Sequence, residues 1–252
     1  MSELAVTSLS KSFGAVRAVD DVSFAVARGE FLALIGPNGA GKSTCFNIIN
    51  GQLKPDRGTI RFEDRDIAGL PPREICRRGI ARTFQIAATF SSMTVAENVH
   101  AHARETYGLW RRAASYHRGR ALELLRQVGM EEAADRPSRE LAYGDVKRVE
   151  LAIALASDPR LLLMDEPTAG MAPRERNDLI ALVKALVVER GVSVLFTEHS
   201  MDVVFAFADR IVVMARGRLI ADGDAKAVRG DPVVQQVYFG SGRTFERREV
   251  AS

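Results

Sequence analysis

The most informative segment of the chain is Gly36-Pro37-Asn38-Gly39-Ala40-Gly41-Lys42-Ser43-Thr44. It fits G-x-x-x-x-G-K-[ST] at every fixed position, and it lies between the apolar run Phe31–Ile35 and the mostly apolar residues 45–49. Glycines let the backbone curl so that successive N–H groups point at phosphate oxygens, and the following helix adds the positive end of its dipole. The segment therefore predicts a strand, a phosphate-binding loop and a helix. An ordinary glycine-rich turn is the alternative.

Two side chains of this loop suit a nucleoside triphosphate. The ammonium group of Lys42 can lie on the β- and γ-phosphates, while the hydroxyl of Ser43 can be a ligand of Mg²⁺. We therefore predict a site for a nucleoside triphosphate with Mg²⁺.

The composition is that of a soluble globular protein, with 252 residues, 46% hydrophobic and 27% charged. No segment approaches the roughly 20 apolar residues of a membrane-spanning helix, and the start of the chain lacks the features of a signal peptide. We expect a cytosolic protein. The net charge of +3 is small, and no nucleic-acid partner is predicted. Two cysteines are too few for a disulfide framework.

A pair of carboxylates, Asp165 and Glu166, follows the apolar run Leu161–Met164. Continuous apolarity predicts a strand buried on both faces, as in a parallel sheet, and ligand sites lie at the carboxyl ends of such strands. Asp165 is suited to hold Mg²⁺, commonly through water, and Glu166 to polarise the water that attacks the γ-phosphate. The alternative is that both residues merely end the strand.

A similar pattern follows, in which the buried strand predicted over Val192–Thr197 ends at Glu198 and His199. The imidazole of His199 could donate a hydrogen bond to the γ-phosphate, although a histidine in a loop is more often a local hydrogen-bonding group. Gln85 follows the predicted strand Ile80–Phe84 and by itself carries no signal.

Three regions differ in their predicted secondary structure. The N-terminal segment has short runs of β-forming residues with turns at Gly14 and Gly29, which indicates a small antiparallel sheet. Residues from about 86 to 140 look mainly helical, and Thr94 and Glu97 form a capping-box pattern there. The rest alternates strands with helices. The helical segment at about 86–140 therefore interrupts an otherwise α/β pattern.

Taken together, the motifs resemble those of the ATP-binding subunits of ABC transporters, over nearly the entire chain. The ordered set consists of the phosphate-binding loop, Gln85, Leu141-Ala142-Tyr143-Gly144-Asp145, Leu161–Glu166 and His199. The resemblance implies an α/β fold: a P-loop NTPase core of the ABC ATPase type with an N-terminal antiparallel β subdomain and an inserted helical subdomain. The chain would be a single ABC ATP-binding domain, with the core in 1–85 and about 141–240, the helical subdomain in about 86–140, and a loose tail in 241–252.

The departure from the usual L-S-G-G-Q signature points to one branch of the family. Leu141-Ala142-Tyr143-Gly144 is similar to the signature of ATPases from branched-chain (hydrophobic) amino-acid importers. Further similar segments are Arg82-Thr83-Phe84-Gln85, Ala169-Gly170-Met171-Ala172-Pro173, Glu198-His199-Ser200-Met201 and the ending from Asp231 to Gly240. The resemblance therefore implies an ATPase that energises import of branched-chain or other hydrophobic amino acids, or related amides.

The resemblance also implies a role for each matching residue. Glu166 would be the catalytic base, His199 the switch that senses the γ-phosphate, and Phe13 the ring that stacks on adenine. Gln85 would join the Mg²⁺ and the attacking water to the helical segment. The implied catalytic residues are Glu166, His199, Lys42 and Gln85; those that bind ATP are Phe13 and Gly36 to Thr44; those that bind Mg²⁺ are Ser43, Gln85 and Asp165.

The implied assembly contains several chains. Ala142, Tyr143, Gly144 and Asp145 would contact the ATP of a neighbouring ATPase, either a second copy of this chain or a paralogue. Ala142 lacks the hydroxyl of the usual serine, so we expect weakened but not absent recognition. Two membrane-spanning permease subunits and, indirectly, a solute-binding protein would be the other partners. The chain would then lie peripherally on the inner face of the cell membrane.

Three alternatives share part of these features. An ATPase of a lipid or lipopolysaccharide exporter has a similarly short chain, but the segment Leu141–Gly144 argues against it. A non-transport ABC ATPase usually carries two cassettes, a coiled-coil insertion or a metal module, and the sequence has none of these. A small-molecule kinase would give no reason for the signature segment.

Overall fold

The computed structural model describes residues 2–83, 90–107 and 114–239; within these, side chains are not described at 102–107, 114–117 and 239. Gln85 and the predicted loose tail, residues 241–252, lie outside the described residues.

The described residues form ten strands and nine α-helices. The strands are β1 (Ser2–Phe13), β2 (Val16–Ala27), β3 (Phe31–Ile35), β4 (Arg57–Phe62), β5 (Arg65–Asp66), β6 (Ile80–Thr83), β7 (Leu161–Asp165), β8 (Ser193–Thr197), β9 (Arg210–Ala215) and β10 (Arg218–Gly223). The helices are α1 (Lys42–Ile49), α2 (Pro72–Arg77), α3 (Val95–Tyr107), α4 (Ala114–Gln127), α5 (Tyr143–Leu155), α6 (Pro173–Arg190), α7 (Met201–Phe207), α8 (Ala225–Gly230) and α9 (Pro232–Phe239).

A six-stranded sheet in the order β10-β9-β3-β8-β7-β6 organises the fold. All neighbouring pairs are parallel except β10 with β9. Every residue of β3, β7 and β8 is buried, as their continuous apolar sequences predict. Because parallel strands end at the same edge, the segments after these three strands meet there.

The central sheet separates two hydrophobic clusters. Alternate residues of β3 point to opposite faces: Phe31 packs in one cluster and Leu32 in the other. The first cluster contains apolar residues of α5 and α6. The second contains α1 and the inner face of a four-stranded antiparallel sheet, in the order β2-β1-β4-β5. Helix α1 is thus buried between the two sheets, which fixes the loop that precedes it.

Helices α3 and α4 and two short 3₁₀ turns lie between β6 and α5 in the chain. The predicted capping box is present: the Thr94 N–H donates to Glu97 Oε2 at 2.8 Å, and the Glu97 N–H donates to Thr94 Oγ1 at 3.2 Å. The expected fold class, an α/β core with an antiparallel β sheet and inserted helices, is confirmed. Within the described ranges, no helix has the length and apolarity needed to span a bilayer.

Some local predictions were wrong. The sequence pattern predicts the start of the second inserted helix at Arg120, but α4 begins at Ala114. The short α8 was not predicted, although Asp224 caps it by accepting from the Ala227 N–H at 2.7 Å. Ser200 directly precedes Met201, a position that predicts an N-cap, but its hydroxyl accepts a hydrogen bond from Arg176 instead. A tertiary contact therefore replaces the local one at Ser200.

Candidate active site

The phosphate-binding loop connects β3 to α1, and two of its glycines are required by both space and conformation. Gly36 has φ +154° and Gly41 has φ +104°. A Cβ on Gly36 would lie 2.2 Å from the carbonyl oxygen of Met214, and one on Gly41 would lie 2.2 Å from that of Ala18. Neighbouring backbone thus packs against the outside of the loop, where no side chain fits.

Backbone hydrogen bonds hold this loop from outside. The Gly217 N–H, in the turn between β9 and β10, donates to the Ala40 carbonyl at 3.0 Å, and the Asp20 N–H of β2 donates to the Gly217 carbonyl at 2.8 Å. The turn thereby joins the loop to the antiparallel sheet. The curvature of the loop is therefore set by contacts that do not depend on a bound ligand.

Lys42, the first residue of α1, is only 6% exposed and folds back over the loop. Its ammonium group donates to the carbonyl oxygens of Gly36 at 2.7 Å and Pro37 at 3.1 Å. Burial lowers the pKa of Lys42, while the negative charges of Glu166 and Asp165 act to raise it. Ser43, next in the chain, is exposed.

Asp165 ends β7 with only 7% of its side chain exposed, and both of its oxygens accept hydrogen bonds. Oδ1 accepts from the hydroxyl of Thr197, at the end of β8, at 2.8 Å. Oδ2 accepts from Nη2 of Arg82, in β6, at 2.9 Å. Three adjacent strands of the central sheet thus meet at this carboxylate.

Arg82, to which the sequence motifs assign no role, connects three segments through its guanidinium. Its Nη1 donates to Asn47 Oδ1 of α1 at 2.7 Å and to Gln52 Oε1 at 2.9 Å, and its charge lies 6.0 Å from the ring centre of Phe46. Arg82 is 83 residues from Asp165 in the chain. An arginine within a predicted strand gives no local signal for such a contact.

Glu166 has the left-handed φ of +49°, and its N–H donates to both oxygens of Thr197, at 3.2 Å to the carbonyl and 3.0 Å to the hydroxyl. A left-handed backbone is strained for a residue other than glycine, and these hydrogen bonds to Thr197 hold it. Glu166 Oε1 lies 2.7 Å from Nε2 of His199, which is about half exposed. A carboxylate and an imidazole in direct contact can hold and move a proton.

Glu198 is a second buried residue that the sequence analysis did not single out, with 3% exposure. Its Oε1 accepts from the N–H of Thr168 at 3.1 Å and from the Thr168 hydroxyl, and its Oε2 accepts from the N–H of His199 at 3.0 Å. Glu198 therefore ties the segment after Glu166 to the residue that contacts Glu166.

The other predicted site residues lie on separate elements. Phe13 ends β1 and is 49% exposed, with the Lys11 ammonium 5.8 Å from its ring centre. Ala142 precedes α5 in an extended conformation, and Tyr143 is 52% exposed, with its hydroxyl donating to the Ala169 carbonyl at 3.0 Å. The first turn of α5, residues 143–145, therefore begins at the surface.

The residues present fit a nucleotide with Mg²⁺. The backbone of residues 36–44 forms a cradle closed on its outer side, the Lys42 ammonium lies inside it, and Ser43 and Asp165 offer the oxygen donors that Mg²⁺ prefers. The Glu166–His199 pair adds a proton acceptor. Phosphate binding and water activation are therefore the chemistry that this edge of the sheet supports.

The chain is similar in sequence to known ATP-binding proteins of one family. Residues 19–169 match the family described as ABC transporter. The chain is 40% identical over 248 residues to the high-affinity branched-chain amino acid transport ATP-binding protein LivG of Salmonella typhimurium. This alignment covers 94% of this chain and 97% of LivG. BraF of Pseudomonas aeruginosa, described in the same words, is 39% identical over the same shares.

Solved structures show the same fold. A nucleotide-free ATP-binding cassette from an ABC transporter superimposes with a TM-score of 0.85 at 34% identity, covering 96% of this chain and 100% of the other. The ADP conformation of MJ1267, an ATP-binding cassette of an ABC transporter, gives a TM-score of 0.87 at 35% identity over the same shares.

Proposed function

The chain belongs to the ABC transporter family, and from this premise we propose that it energises an importer of branched-chain or related hydrophobic amino acids or amides. It is an ATP-binding and ATP-hydrolysing protein. The observation that carries the proposal is the meeting of the phosphate-binding loop, Asp165 and the Glu166–His199 pair at one edge of the sheet. The solute class is supported by LivG and BraF, which match over nearly the full chain.

The proposed hydrolysis uses the residues at this edge in distinct roles. Backbone N–H groups of residues 36–44 and the Lys42 ammonium bind the phosphates, and the Glu166 carboxylate takes a proton from the attacking water. Mg²⁺, held by Ser43, Asp165 and Gln85, would neutralise charge on the phosphates. The imidazole of His199, which already contacts Glu166, keeps that carboxylate oriented and can turn to the γ-phosphate.

The proposed assembly assigns a role to the exposed start of α5. Residues Ala142–Asp145 present the helix N-terminus outward, where free N–H groups suit the phosphates of ATP bound to a neighbouring ATPase. That neighbour is a second copy of this chain or a paralogue. Two permease subunits, fed by a solute-binding protein, would hold the pair at the inner membrane face.

Within the chain itself, Phe13 would stack on adenine. Residues 1–85 and about 141–240 would form the core, and about 86–140 the helical subdomain.

We expect Glu166→Gln to lower steady-state ATP hydrolysis by about 10²–10⁴-fold while ATP binding is retained, because the amide cannot accept the proton. Hydrolysis and nucleotide affinity are measured separately, with Lys42→Ala as the matched variant that loses affinity. Light scattering during size-exclusion chromatography, with and without Mg-ATP, then reports the assembly. Rapid hydrolysis by the Gln variant contradicts the assignment of Glu166 as base.

The light-scattering result also separates two forms of the assembly. A dimer of Glu166→Gln that forms only with Mg-ATP supports two copies of this chain. A chain that binds ATP and stays monomeric supports a different ATPase as the neighbour.

The solute class is tested with the complex that co-purifies with the tagged chain from membranes, reconstituted in vesicles. We expect uptake of radiolabelled leucine to require ATP and to be lost in the Glu166→Gln complex. Competition by valine, isoleucine and small amides defines the class. ATP-driven movement of lipid instead of amino acid across these vesicles overturns the proposal of import and favours the exporter alternative.

A further inference from the structure

Arg82 donates a hydrogen bond to Asp165, the carboxylate that the proposed function assigns to the metal. We propose that Arg82 keeps a bare divalent cation off Asp165, so that the cation enters only together with the phosphates of a nucleotide. This inference rests on the proposed role of Asp165 and deepens it. It makes Arg82 a positioning residue that acts on the metal through Asp165.

The contact between Arg82 and Asp165 is direct and shielded from water. Arg82 Nη2 lies 2.9 Å from Asp165 Oδ2, and their side chains are only 10% and 7% exposed. Water and salt therefore screen the guanidinium charge weakly. A divalent cation at Oδ2 would share one oxygen with a second positive charge.

The positive charge of Arg82 is also fixed in place. Its Nη1 donates to Asn47 at 2.7 Å and to Gln52 at 2.9 Å, so that the guanidinium is held on two sides. A guanidinium does not lose its proton in proteins, so no pH change near neutrality removes this charge. A cation at Oδ2 would therefore meet this fixed charge unless the arginine moved away from Asn47 and Gln52.

Positive charge already acts on Asp165 without a metal. Arg82 forms an ion pair with Asp165, and Lys42 lies where the charges of Asp165 and Glu166 act on it. A bare divalent cation adds two further positive charges beside them. The phosphates of a nucleotide bring negative charge with them, so the same cation is compensated when it arrives with the nucleotide. Asp165 keeps unused lone pairs on both oxygens with which to contact the water shell of that cation.

The test measures Mn²⁺ binding to the nucleotide-free protein by electron paramagnetic resonance. We expect Arg82→Met to bind one Mn²⁺ about tenfold more tightly than the unmodified chain, because a nearby positive charge is removed. This gain should be absent in the double variant Arg82→Met/Asp165→Asn. Arg82→Lys, which keeps the charge, should remain close to the unmodified chain. Arg61→Met, on the exposed side of β4, is the matched surface control.

A second readout follows the linkage between cation and nucleotide. In the unmodified chain a non-hydrolysable ATP analogue should strongly raise Mn²⁺ affinity, and in Arg82→Met this increase should be smaller by the same factor of about ten. Thermal unfolding identifies variants that do not fold. Arg82→Gln, which retains donors for Asn47 and Gln52, replaces the Met variant if that variant fails to fold.

Two outcomes overturn the inference. Unchanged Mn²⁺ affinity in a folded variant without the Arg82 charge means that Arg82 acts only in structure. A gain that persists without the Asp165 carboxylate means that the cation binds elsewhere. Failure of the unmodified chain to bind the ATP analogue with any cation would instead sink the proposed function, so the two failures are distinguishable.

Discussion

Two buried ion pairs next to one small cavity differ in how completely their carboxylates are hydrogen-bonded. Arg82–Asp165 joins two strands, and both oxygens of Asp165 accept a hydrogen bond. Lys147–Glu150 lies within one turn of α5, with Nζ 2.9 Å from Oε2. The other oxygen of Glu150 is buried without a hydrogen-bond partner in the part of the chain that the structure describes. Lys147, Glu150 and Asp165 line this cavity.

This difference distinguishes Asp165, which is positioned to contact a ligand, from Glu150, which is packed within a helix. A buried carboxylate with both oxygens hydrogen-bonded is held in one position, whereas one with an unpaired oxygen retains a desolvation cost. Burial raises the pKa of Glu150, and the hydrogen bond and charge of Lys147 oppose this rise. We infer that Asp165 is placed for ligand contact and that Glu150 is tolerated within the helix.

The sharpest test of this contrast replaces each carboxylate by its amide. We expect Asp165→Asn to lower ATP hydrolysis by about 10²–10³-fold, because a preorganised charge at the reacting phosphates is lost. Glu150→Gln should stay within about threefold of the unmodified chain, because it touches none of the proposed reacting groups. Phosphate release at saturating Mg-ATP measures both. Equal losses of ATP hydrolysis in the two variants would contradict this distinction between Asp165 and Glu150.

A second test removes the cation of the helical pair. Lys147→Met should lower the free energy of unfolding by about 3 kcal/mol near pH 8, because Glu150 is left charged, buried and unpaired. Without Lys147 the pKa of Glu150 rises further above its unfolded value. The native state then takes up a proton more readily than the unfolded state, so stability recovers as the pH falls through that raised pKa.

Urea unfolding at several pH values measures this effect. Lys147→Met/Glu150→Met is the control, which should be close to the unmodified chain at every pH because no buried charge remains. A loss in Lys147→Met that is independent of pH would mean that packing of the lysine stem, rather than the unpaired Glu150 charge, explains it.

The smallest expected effect concerns Tyr143, an exposed residue next to Lys147 of the Lys147–Glu150 pair. The Lys147 ammonium lies 5.5 Å from the Tyr143 ring centre, and the Tyr143 hydroxyl donates to Ala169 at 3.0 Å. Tyr143→Phe keeps the ring and removes the hydrogen bond, so we expect a loss of about 0.5–1 kcal/mol in unfolding free energy. Thermal unfolding, with Tyr143→Leu as the variant that also removes the ring, separates the two contacts. Identical values for both variants would show that the ring adds nothing.

Sequence patterns alone predicted the elements that depend on local or periodic signals. The loop from Gly36 to Thr44 follows a fixed spacing, and the capping box at Thr94 and Glu97 is complete within four residues. Pro173 and Gly191 predict the start and the end of a helix, and α6 spans Pro173–Arg190. The Lys147–Glu150 pair was not predicted, although it is equally local, since residues three apart on a helix face each other. Such features can be predicted from the sequence because the residues that form them are neighbours in the chain.

Only the tertiary structure showed what supports these elements. Arg82 reaches Asp165 across 83 residues, Thr197 reaches the same carboxylate across 32, and Gly36 must be glycine because the Met214 backbone approaches it. None of these contacts follows from spacing or composition. They arise because parallel strands distant in sequence end at one edge of the sheet, where side chains without a local partner satisfy one another.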